Sequence, residues 1–307
     1  MPLGIPTLDL RTLEEDTAPL ARACQEWGFF KLSGHGISQA RRERFMHALQ
    51  AFFAAPSATK ASIERTRENP WGFFDRELTK NKQDWKEIFD FGVDQDAAGG
   101  MNQWPEGIVN FKLTMVDWFE ASYELSLVLI ERLLTTLGAA PYALQDAFFP
   151  SHSSFLRLNY YPVCDEPADP AADIPTTGHL GVSHHTDAGA LTVLLQDNVP
   201  GLQVKRGANW FTVEPEPGTF IVNVGDLMQV WSNNRYRAPL HRVLANSSKA
   251  RFSAPFFLNP RFDCTVAPLT KEPANYRPLH WGAYRAGRAA GDYANVGKEV
   301  QVADYAL

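Results

Sequence analysis

Residues 184–197 read HHTDAGALTVLLQD, a short polar segment followed by an apolar run. The run LTVLL predicts a buried strand, and Asp-Ala-Gly before it predicts the turn that leads into the strand. Side chains two residues apart on an extended segment point the same way, so His185 and Asp187 can converge while His184 and Thr186 face away. The stretch therefore predicts a sheet with a polar pair at the end of a strand.

A third residue of the same chemistry, His241, lies in LHRVLANSSKARFSAPFFL, residues 240–258. Two imidazoles and one carboxylate hold iron(II) on one face and leave the opposite positions open for oxygen and a co-substrate. We therefore predict that His185, Asp187 and His241 bind a metal, with iron(II) favoured. A zinc hydrolase would also need a general base near the metal-bound water, and HTDAGALT offers no additional carboxylate.

Two further pairs have the same two-residue spacing on predicted strands. Arg251 and Ser253 share one face of the strand after the third ligand, and an arginine fork beside a hydroxyl suits a carboxylate. Asn159 and Tyr161 share one face of the segment SFLRLNYYP, and Arg157 extends that row by one position. These pairs predict a carboxylate-binding site beside the metal.

Several segments resemble the isopenicillin N synthase-like branch of iron(II)- and 2-oxoglutarate-dependent oxygenases: HHTDAGALTVLLQDNVPGLQV (184–204), HRVLANSSKARFSAPFF (241–257), RLNYYP (157–162), IPTLDL (5–10) and ACQEWGFFKLSGHGI (23–37). The resemblance covers most of the chain. Residues 59–103 and the tail after Phe262 match poorly.

The resemblance implies iron at the three predicted ligands and the far carboxylate of 2-oxoglutarate at Arg251 and Ser253. Tyr161 and Asn159 match positions that assist this binding. The implied activity is that of an iron(II)- and 2-oxoglutarate-dependent dioxygenase. Such an enzyme uses O2 to oxidise, by default to hydroxylate, a C–H bond of a small organic molecule, and it releases succinate and carbon dioxide.

The substrate is expected to contact residues on both sides of this site. Arg157 matches a position that lies at the substrate in related plant enzymes, where its charge could meet an acidic group or pair with a nearby protein carboxylate. Phe257 shares the face of the Arg-x-Ser pair, while Trp71, Phe73 and Phe74 lie in a segment that the family often places over the site. We expect a small-molecule substrate with an apolar body that can carry a carboxylate.

Two alternatives to this function stay open at the level of sequence. An oxidase or cyclase of the same family could use iron and O2 without 2-oxoglutarate, with the Arg-x-Ser pair binding the substrate's own carboxylate. A metal-binding barrel without catalytic activity could act as a ligand sensor or assembly module. The intact triad and the intact Arg-x-Ser pair argue against the second alternative.

Composition favours a soluble, cytoplasmic enzyme. The 307 residues are 45% hydrophobic with a net charge of −6, and dispersed basic residues predict no binding to nucleic acid or to an anionic membrane. The sequence contains no apolar run of about 18 residues, and its N-terminus lacks the basic and apolar regions of a secretory signal. Cys24, Cys164 and Cys264 are too few and too far apart for a disulfide framework or a Cys-rich zinc site.

The apolar periodicity predicts a mixed α and β fold, with one oxygenase domain over residues 1–307. Residues 1–150 are predicted as a mainly helical supporting layer, 151–262 as the iron-binding jelly-roll core and 263–307 as a C-terminal extension. A long helix over 111–137 should back the sheet. Strands are predicted at 155–160, 191–195, 202–204, 210–213, 220–224, 240–244 and 253–258. Many short strands with Pro-Gly turns predict a sandwich or jelly roll, which the resemblance makes a double-stranded β-helix.

Overall fold

The computed structural model describes residues 4–80, 82–93, 100–290 and 299–307, which form two main sheets and several helices. The strands are β1 (Thr7–Asp9), β2 (Phe29–Ser33), β3 (Gly72–Phe74), β4 (Leu78–Thr79), β5 (Lys82–Gln83), β6 (Glu87–Gly92), β7 (Phe155–Tyr161), β8 (Leu180–His185), β9 (Leu191–Gln196), β10 (Leu202–Arg206), β11 (Asn209–Thr212), β12 (Phe220–Val224), β13 (His241–Leu244), β14 (Arg251–Leu258), β15 (Thr265–Val266) and β16 (Leu279–His280). The helices are α1 (Ala18–Glu26), α2 (Gln39–Phe53), α3 (Ser57–Ala61), α4 (Phe111–Thr136), α5 (Gln145–Phe148), α6 (Asp226–Trp231) and α7 (Trp281–Arg288), with 3₁₀ turns at Thr12–Glu14 and Val302–Tyr305.

Within the described part of the chain, the large sheet has eight strands and the small sheet has four. The order is β1-β2-β12-β9-β14-β7-β6-β3 in the large sheet and β11-β10-β13-β8 in the small one. All the strand pairs within these two sheets are antiparallel except β1 with β2. The predicted strands between residues 155 and 258 are all present, with ends shifted by at most two residues. Strand β8 was not predicted, because LGVSHH has neither an apolar run nor a regular alternation.

Helices cover one face of the large sheet. Leu191, Val193 and Leu195 of β9 point into the core that this face shares with α1, α2 and α4. The predicted long helix is confirmed as α4, and Gly138 with φ of +72° follows its C-terminal end in the left-handed conformation that suits glycine. This core fixes the face of each strand, so the intervening residues must point toward the small sheet.

The other face of the large sheet packs against the small sheet. Leu194 and Ile221 of the large sheet form a second core with Val204 and Val243 of the small sheet. The two facing antiparallel sheets form the predicted jelly roll. Polar side chains occupy the part of this interior that is next to the second core.

Segments outside the central jelly roll extend it at both ends of the chain. The first 150 residues contribute strands as well as helices. They add β1 and β2 at one end of the large sheet and β6 and β3 at the other. Helix α7 lies beyond residue 262, and its Tyr284 hydroxyl donates to buried Asp226 of α6 at 2.6 Å. Among the described residues, none of the helices combines the length and apolarity needed to cross a bilayer.

Candidate active site

The two histidines of the predicted metal site are cross-strand neighbours. His241 of β13 lies opposite His185 of β8, and their ring centroids are 4.3 Å apart. The Nδ1 atom of His185 lies 2.8 Å from the carbonyl oxygen of Ser183, and that of His241 lies 3.0 Å from the carbonyl oxygen of Pro239. Because a carbonyl only accepts, each Nδ1 carries the proton, and each Nε2 remains free to bind a metal.

Asp187 follows β8 in the loop toward β9 and completes the triad (His185, Asp187 and His241). Its Oδ1 atom lies 3.6 Å from the Nε2 atom of each histidine. Its Oδ2 atom accepts hydrogen bonds from Thr192 at 2.5 Å and from Asn223 at 2.7 Å. One carboxylate oxygen is thus held by the large sheet, while the other points at the imidazoles.

Thr192 and Asn223 were not identified from the sequence. They lie directly opposite each other on β9 and β12, and both are buried. The signal in the sequence was Asn223 itself, a polar residue in the middle of the apolar strand FIVNV. A buried amide in such a strand needs a partner, and here the partner is a metal-site carboxylate.

The triad fits a divalent iron ion. Its donor atoms lie within 4.8 Å of one another, so one ion can reach all three with ordinary bonds of about 2.0–2.2 Å. Burial, assisted by His241, lowers the pKa of His185 to about 3, which keeps this imidazole neutral. Burial opposes ionisation of Asp187, but the two imidazoles and the hydrogen bonds from Asn223 and Thr192 hold its pKa below the usual range. A neutral imidazole and an ionised carboxylate are the forms that bind metal.

Arg251 is a buried cation, and its hydrogen-bond acceptors among the described residues are all neutral. Its side chain donates to the Gln196 amide oxygen at 2.8 Å and to the Val199 carbonyl at 3.2 Å, and its contact with the Ser253 hydroxyl is long, at 3.4 Å. The guanidinium carbon lies 5.1 Å from the centre of the Tyr161 ring. Asp197 acts on this charge only at longer range, and no described carboxylate forms an ion pair with it. Because burying a charge without a close counter-charge is costly, this arrangement favours an anionic ligand at Arg251.

The strand register places the other predicted co-substrate residues next to Arg251. Arg251 lies opposite Tyr161, and Ser253 lies opposite Asn159 on one side and Gln196 on the other. The Oδ1 atom of Asn159 and the Nε2 atom of Gln196 are buried without a hydrogen-bond partner in the described chain. A polar ligand bound here would supply partners for such atoms.

A cavity of about 540 Å³ connects the triad and Arg251 to an aromatic wall. The lining on that side includes Trp71, Phe155, Phe257 and Trp281. The rings of Phe155 and Phe257 are stacked, with their centroids 4.6 Å apart. The volume suits a small organic molecule beside the co-substrate.

Two family models match this chain. The model of the 2OG-Fe(II) oxygenase superfamily covers residues 152–260, and that of the non-haem dioxygenase in morphine synthesis N-terminal region covers residues 5–107. The first match includes the triad and Arg251. The second includes residues 59–103, so the family match extends through the segment in which the sequence resemblance is weak.

Jasmonate-induced oxygenase 4 of Arabidopsis thaliana is 32% identical over 297 residues, which cover 92% of this chain and 82% of that protein. The chain belongs to the 2OG-Fe(II) oxygenase superfamily. Among solved structures, JOX2 in complex with 2OG, Fe and JA has a TM-score of 0.83 and 29% identity, covering 99% of this chain and 89% of that one. The rice dioxygenase for auxin oxidation has a TM-score of 0.77 and 28% identity, covering 99% and 100%. The protein is thus an iron(II)- and 2-oxoglutarate-dependent dioxygenase with a jelly-roll core.

Of the aromatic residues predicted to contact substrate in this oxygenase, Trp71 and Phe257 line the cavity, whereas Phe73 and Phe74 do not. Phe73 is buried in the helix-backed core, 6.3 Å from Phe52 between ring centroids. Phe74 lies on the opposite face of β3 from Phe73, and its ring centre is 3.8 Å from the guanidinium carbon of Arg65. Successive residues of β3 point to opposite faces, and neither face at these two positions opens into the cavity.

Arg157 also lines the cavity, and protein carboxylates hold it. Its guanidinium donates to Asp90 at 2.8 and 2.7 Å and to Glu77 at 2.7 and 2.9 Å. Lys86 and Arg65 pair with the same Glu77 carboxylate at 2.8 and 3.3 Å. Of the two roles considered for Arg157 from the sequence, pairing with nearby carboxylates is the one observed.

This charge cluster (Arg65, Glu77, Asp84, Lys86, Asp90 and Arg157) is mostly buried. Burial opposes ionisation of Glu77, but Arg157 and Lys86 hold its pKa well below the usual range. Burial likewise opposes the charge on Lys86, and Asp84 and Glu77 raise its pKa above the usual value. The cluster thus neutralises itself and gives one wall of the cavity a polar but charge-balanced surface.

The C-terminal helix α7 also reaches the site, which the sequence did not predict. Arg288 donates to the carbonyl oxygen of Thr186, the residue between two triad members, at 2.8 Å. Trp281 and Arg285 of the same helix line the cavity. Helix α7 therefore forms part of the cavity wall and contacts the metal-binding loop.

Proposed function

We propose that the triad binds the iron(II) of this oxygenase and that Arg251 and Ser253 bind the distal carboxylate of 2-oxoglutarate, assisted by Tyr161 and Asn159. The observation that carries the proposal is the buried guanidinium of Arg251, whose acceptors are all neutral oxygens. A dicarboxylate that reaches from the triad to this guanidinium would bring a negative charge within ion-pair distance of it.

Iron(II), O2 and 2-oxoglutarate together supply the oxidant when bound, and 2-oxoglutarate is converted to succinate and carbon dioxide. The protein supplies geometry and charge. Thr192 and Asn223 hold Asp187 so that one oxygen faces the metal, and Arg251 fixes the far end of the co-substrate. The aromatic wall of Phe155 and Phe257 excludes water from the substrate's reacting C–H bond. We propose that the product is the hydroxylated substrate.

We further propose that the substrate is a small molecule with an apolar body and an acidic group. Outside the self-neutralising charge cluster, Arg67 and Arg285 also line the cavity, and their positive charge favours an anionic group. Arg285 lies 5.4 Å from the centre of the Phe155 ring, so a cation adjoins the aromatic wall. JOX2 has JA bound and the rice relative is named for auxin oxidation, which supports a small organic molecule as the substrate.

Anaerobic titration of the iron(II)-loaded protein with 2-oxoglutarate tests the co-substrate. Direct chelation of iron by 2-oxoglutarate should produce a weak visible charge-transfer band that saturates with the co-substrate. If no band appears, the alternative of an iron oxidase that works without 2-oxoglutarate gains support.

A substrate screen tests the substrate class. Succinate release is measured with a panel of small carboxylic acids with apolar bodies, each paired with its primary amide. The acid of a productive pair should have the lower KM, and added salt should raise that KM because it screens the attraction. Amides that match their acids would contradict the acidic substrate, and no succinate from any compound would support the non-catalytic alternative.

We also propose a cytoplasmic location. Cys24, Cys164 and Cys264 are all free thiols, and Cys24 and Cys164 are buried. Unpaired cysteines suit a reducing compartment. Fractionation of the cells that make the protein tests this, and recovery outside the cytoplasmic fraction would contradict it.

A further inference from the structure

Strand β8, which carries His185, is irregular where it approaches the metal site. It lies at the outer edge of the small sheet and pairs there with β13. His185 lies opposite His241 and Val182 opposite Val243, so three steps along β8 match two along β13. The extra residue lies at 183–184 and makes a bulge. A bulge re-aims the side chains beside it, and its backbone groups lose their regular partners.

Asp84 supplies a partner for the backbone of this bulge. Its Oδ1 atom accepts a hydrogen bond from the backbone N–H of Ser183 at 3.1 Å. The next residue, Trp85, donates its backbone N–H to the Leu180 carbonyl at 2.9 Å. Residues 84 and 85 therefore cover the open edge of β8 with one side-chain bond and one backbone bond.

The same serine also holds the ring of the metal ligand. The carbonyl oxygen of Ser183 accepts from Nδ1 of His185 at 2.8 Å. Its N–H is bonded to Asp84, so the orientation of this residue depends on that carboxylate. The ring of His185 can turn only if the Ser183 carbonyl moves with it or the hydrogen bond breaks.

Asp84 is itself held rigidly inside the charge cluster. Its Oδ2 atom accepts from the Thr79 hydroxyl at 2.7 Å and pairs with Lys86 at 2.9 Å. Asp84 is 2% exposed and Lys86 is 6% exposed, so water cannot readily replace these partners. The cluster thus contacts the substrate cavity on one side and the strand of the first iron ligand on the other.

We propose that Asp84 is a positioning residue for the iron centre, which fixes the β8 bulge and thereby aims His185 at the metal. The proposal rests on the proposed role of His185 as an iron ligand. Asp84 acts through the hydrogen bond to the Ser183 N–H, and it does not touch metal, co-substrate or substrate.

Cobalt(II) binding provides the test, since Co(II) reports affinity and ligand geometry without turnover. Asp84→Ala should weaken Co(II) binding about tenfold and shift its visible d–d bands, because loss of a residue that orients a ligand costs at least this much. Asp84→Asn retains one oxygen for the Ser183 N–H and should recover most of the affinity. Lys60→Met is the control, because it removes a partly buried ion pair with Glu87 that lies outside the charge cluster, and it should leave Co(II) affinity and bands unchanged.

Three results would overturn the proposal: wild-type affinity and bands for Asp84→Ala, equal weakening by Asp84→Ala and Asp84→Asn, or equal weakening by Lys60→Met. The wild-type protein gives a second test that needs no variant to fold. The amide hydrogen of Ser183 should exchange slowly with solvent, and exchange as fast as that of an unbonded edge amide would also overturn the proposal. His185→Ala distinguishes failure of the Asp84 proposal from failure of the proposed iron site. Unchanged Co(II) affinity in that variant would mean that the triad assignment itself has failed.

Discussion

Two arginines line the same cavity, buried Arg251 and half-buried Arg157, and they differ in the charge of their partners. Arg251 donates to an amide oxygen, a backbone carbonyl and a hydroxyl. Arg157 donates four hydrogen bonds to the carboxylates of Glu77 and Asp90. Among the described residues, Arg251 therefore lacks a carboxylate at ion-pair distance and can accept an anionic ligand, whereas Arg157 is neutralised by the protein. The comparison teaches that an arginine in a cavity indicates an anion site only when its partners leave the charge unbalanced.

Another buried arginine, Arg242, makes this distinction clearer. Arg242 also donates to neutral oxygens, namely Gln203 and the carbonyls of Pro170, Ala172 and Asp173. It does not line the cavity, and these bonds are between 2.8 and 3.1 Å long. Arg251, in contrast, faces the cavity and has one weak contact at 3.4 Å. Access to the cavity and incomplete hydrogen bonding distinguish Arg251 from Arg242 and support the proposed role of Arg251 in binding the co-substrate.

The largest expected effect is on the triad side of the cavity. Asp187→Ala should weaken iron(II) binding by more than about 100-fold and abolish turnover. Loss of a residue that only orients a metal ligand already lowers metal affinity by about 10–100-fold, and Asp187 is itself a proposed ligand. Isothermal titration under anaerobic conditions measures the affinity, and succinate release measures turnover. Iron affinity within a few-fold of wild type would remove Asp187 from the metal site.

On the charge-cluster side, the main expected effect is on stability. Arg157→Ala leaves Glu77 and Asp90 buried with less compensation, so the free energy of unfolding should fall by about 3 kcal/mol or more. Urea unfolding of the metal-free protein measures it. Arg251→Ala should be less destabilising, because it leaves behind only neutral acceptors. If Arg251→Ala were the more destabilising of the two, the contrast between the arginines would be wrong.

For co-substrate affinity, the order of the two variants should be reversed: Arg251→Ala should have a larger effect than Arg157→Ala. Arg251→Ala removes a charge-assisted hydrogen bond worth about 1.5–3 kcal/mol, so the KM for 2-oxoglutarate should rise about 10- to 100-fold while iron affinity stays unchanged. Arg242→Met is the matched control, since it deletes a buried arginine outside the cavity and should leave this KM unchanged. Equal increases in the two variants would indicate a general packing defect and would contradict a specific role for Arg251.

These contrasts also separate what the sequence can predict from what it cannot. Two-residue spacing on a strand defines a face, so the sequence correctly placed Arg251, Ser253, Asn159 and Tyr161 on one cavity wall. The same rule put Arg157 on that wall. Its partners Glu77 and Asp90 come from a distant segment, and spacing within one strand cannot reveal them.

Other features depended on long-range contacts as well. Thr192 and Asn223 support Asp187 only because β9 and β12 are adjacent in the sheet, and the order of strands does not follow the order of the chain. Phe73 resembled a pocket residue because the family places this segment over the site, yet the register of β3 with β6 turns its ring into the core. Helix α7 had no motif at all, and its contribution follows from where the chain returns after the last core strand.

The smallest expected effect concerns the acid stability of the charge cluster. Burial opposes ionisation of Glu77, but Arg157 and Lys86 hold its pKa below the ordinary value of 4.5. A carboxyl whose pKa is lower in the folded state stabilises the fold above the unfolded pKa, and this contribution is lost as the pH falls below about 4.5 toward the folded value.

In Glu77→Gln, the free energy of unfolding should therefore fall less steeply than in wild type as the pH is lowered below 4.5. Urea unfolding between pH 3 and 7 measures both slopes. Burial and the Glu77 charge both raise the pKa of Asp84, so the difference between the slopes reports the Glu77 charge together with its effect on Asp84. Identical slopes would mean that Glu77 is not held ionised by its neighbours, and the cluster wall would then carry a net positive charge toward the substrate.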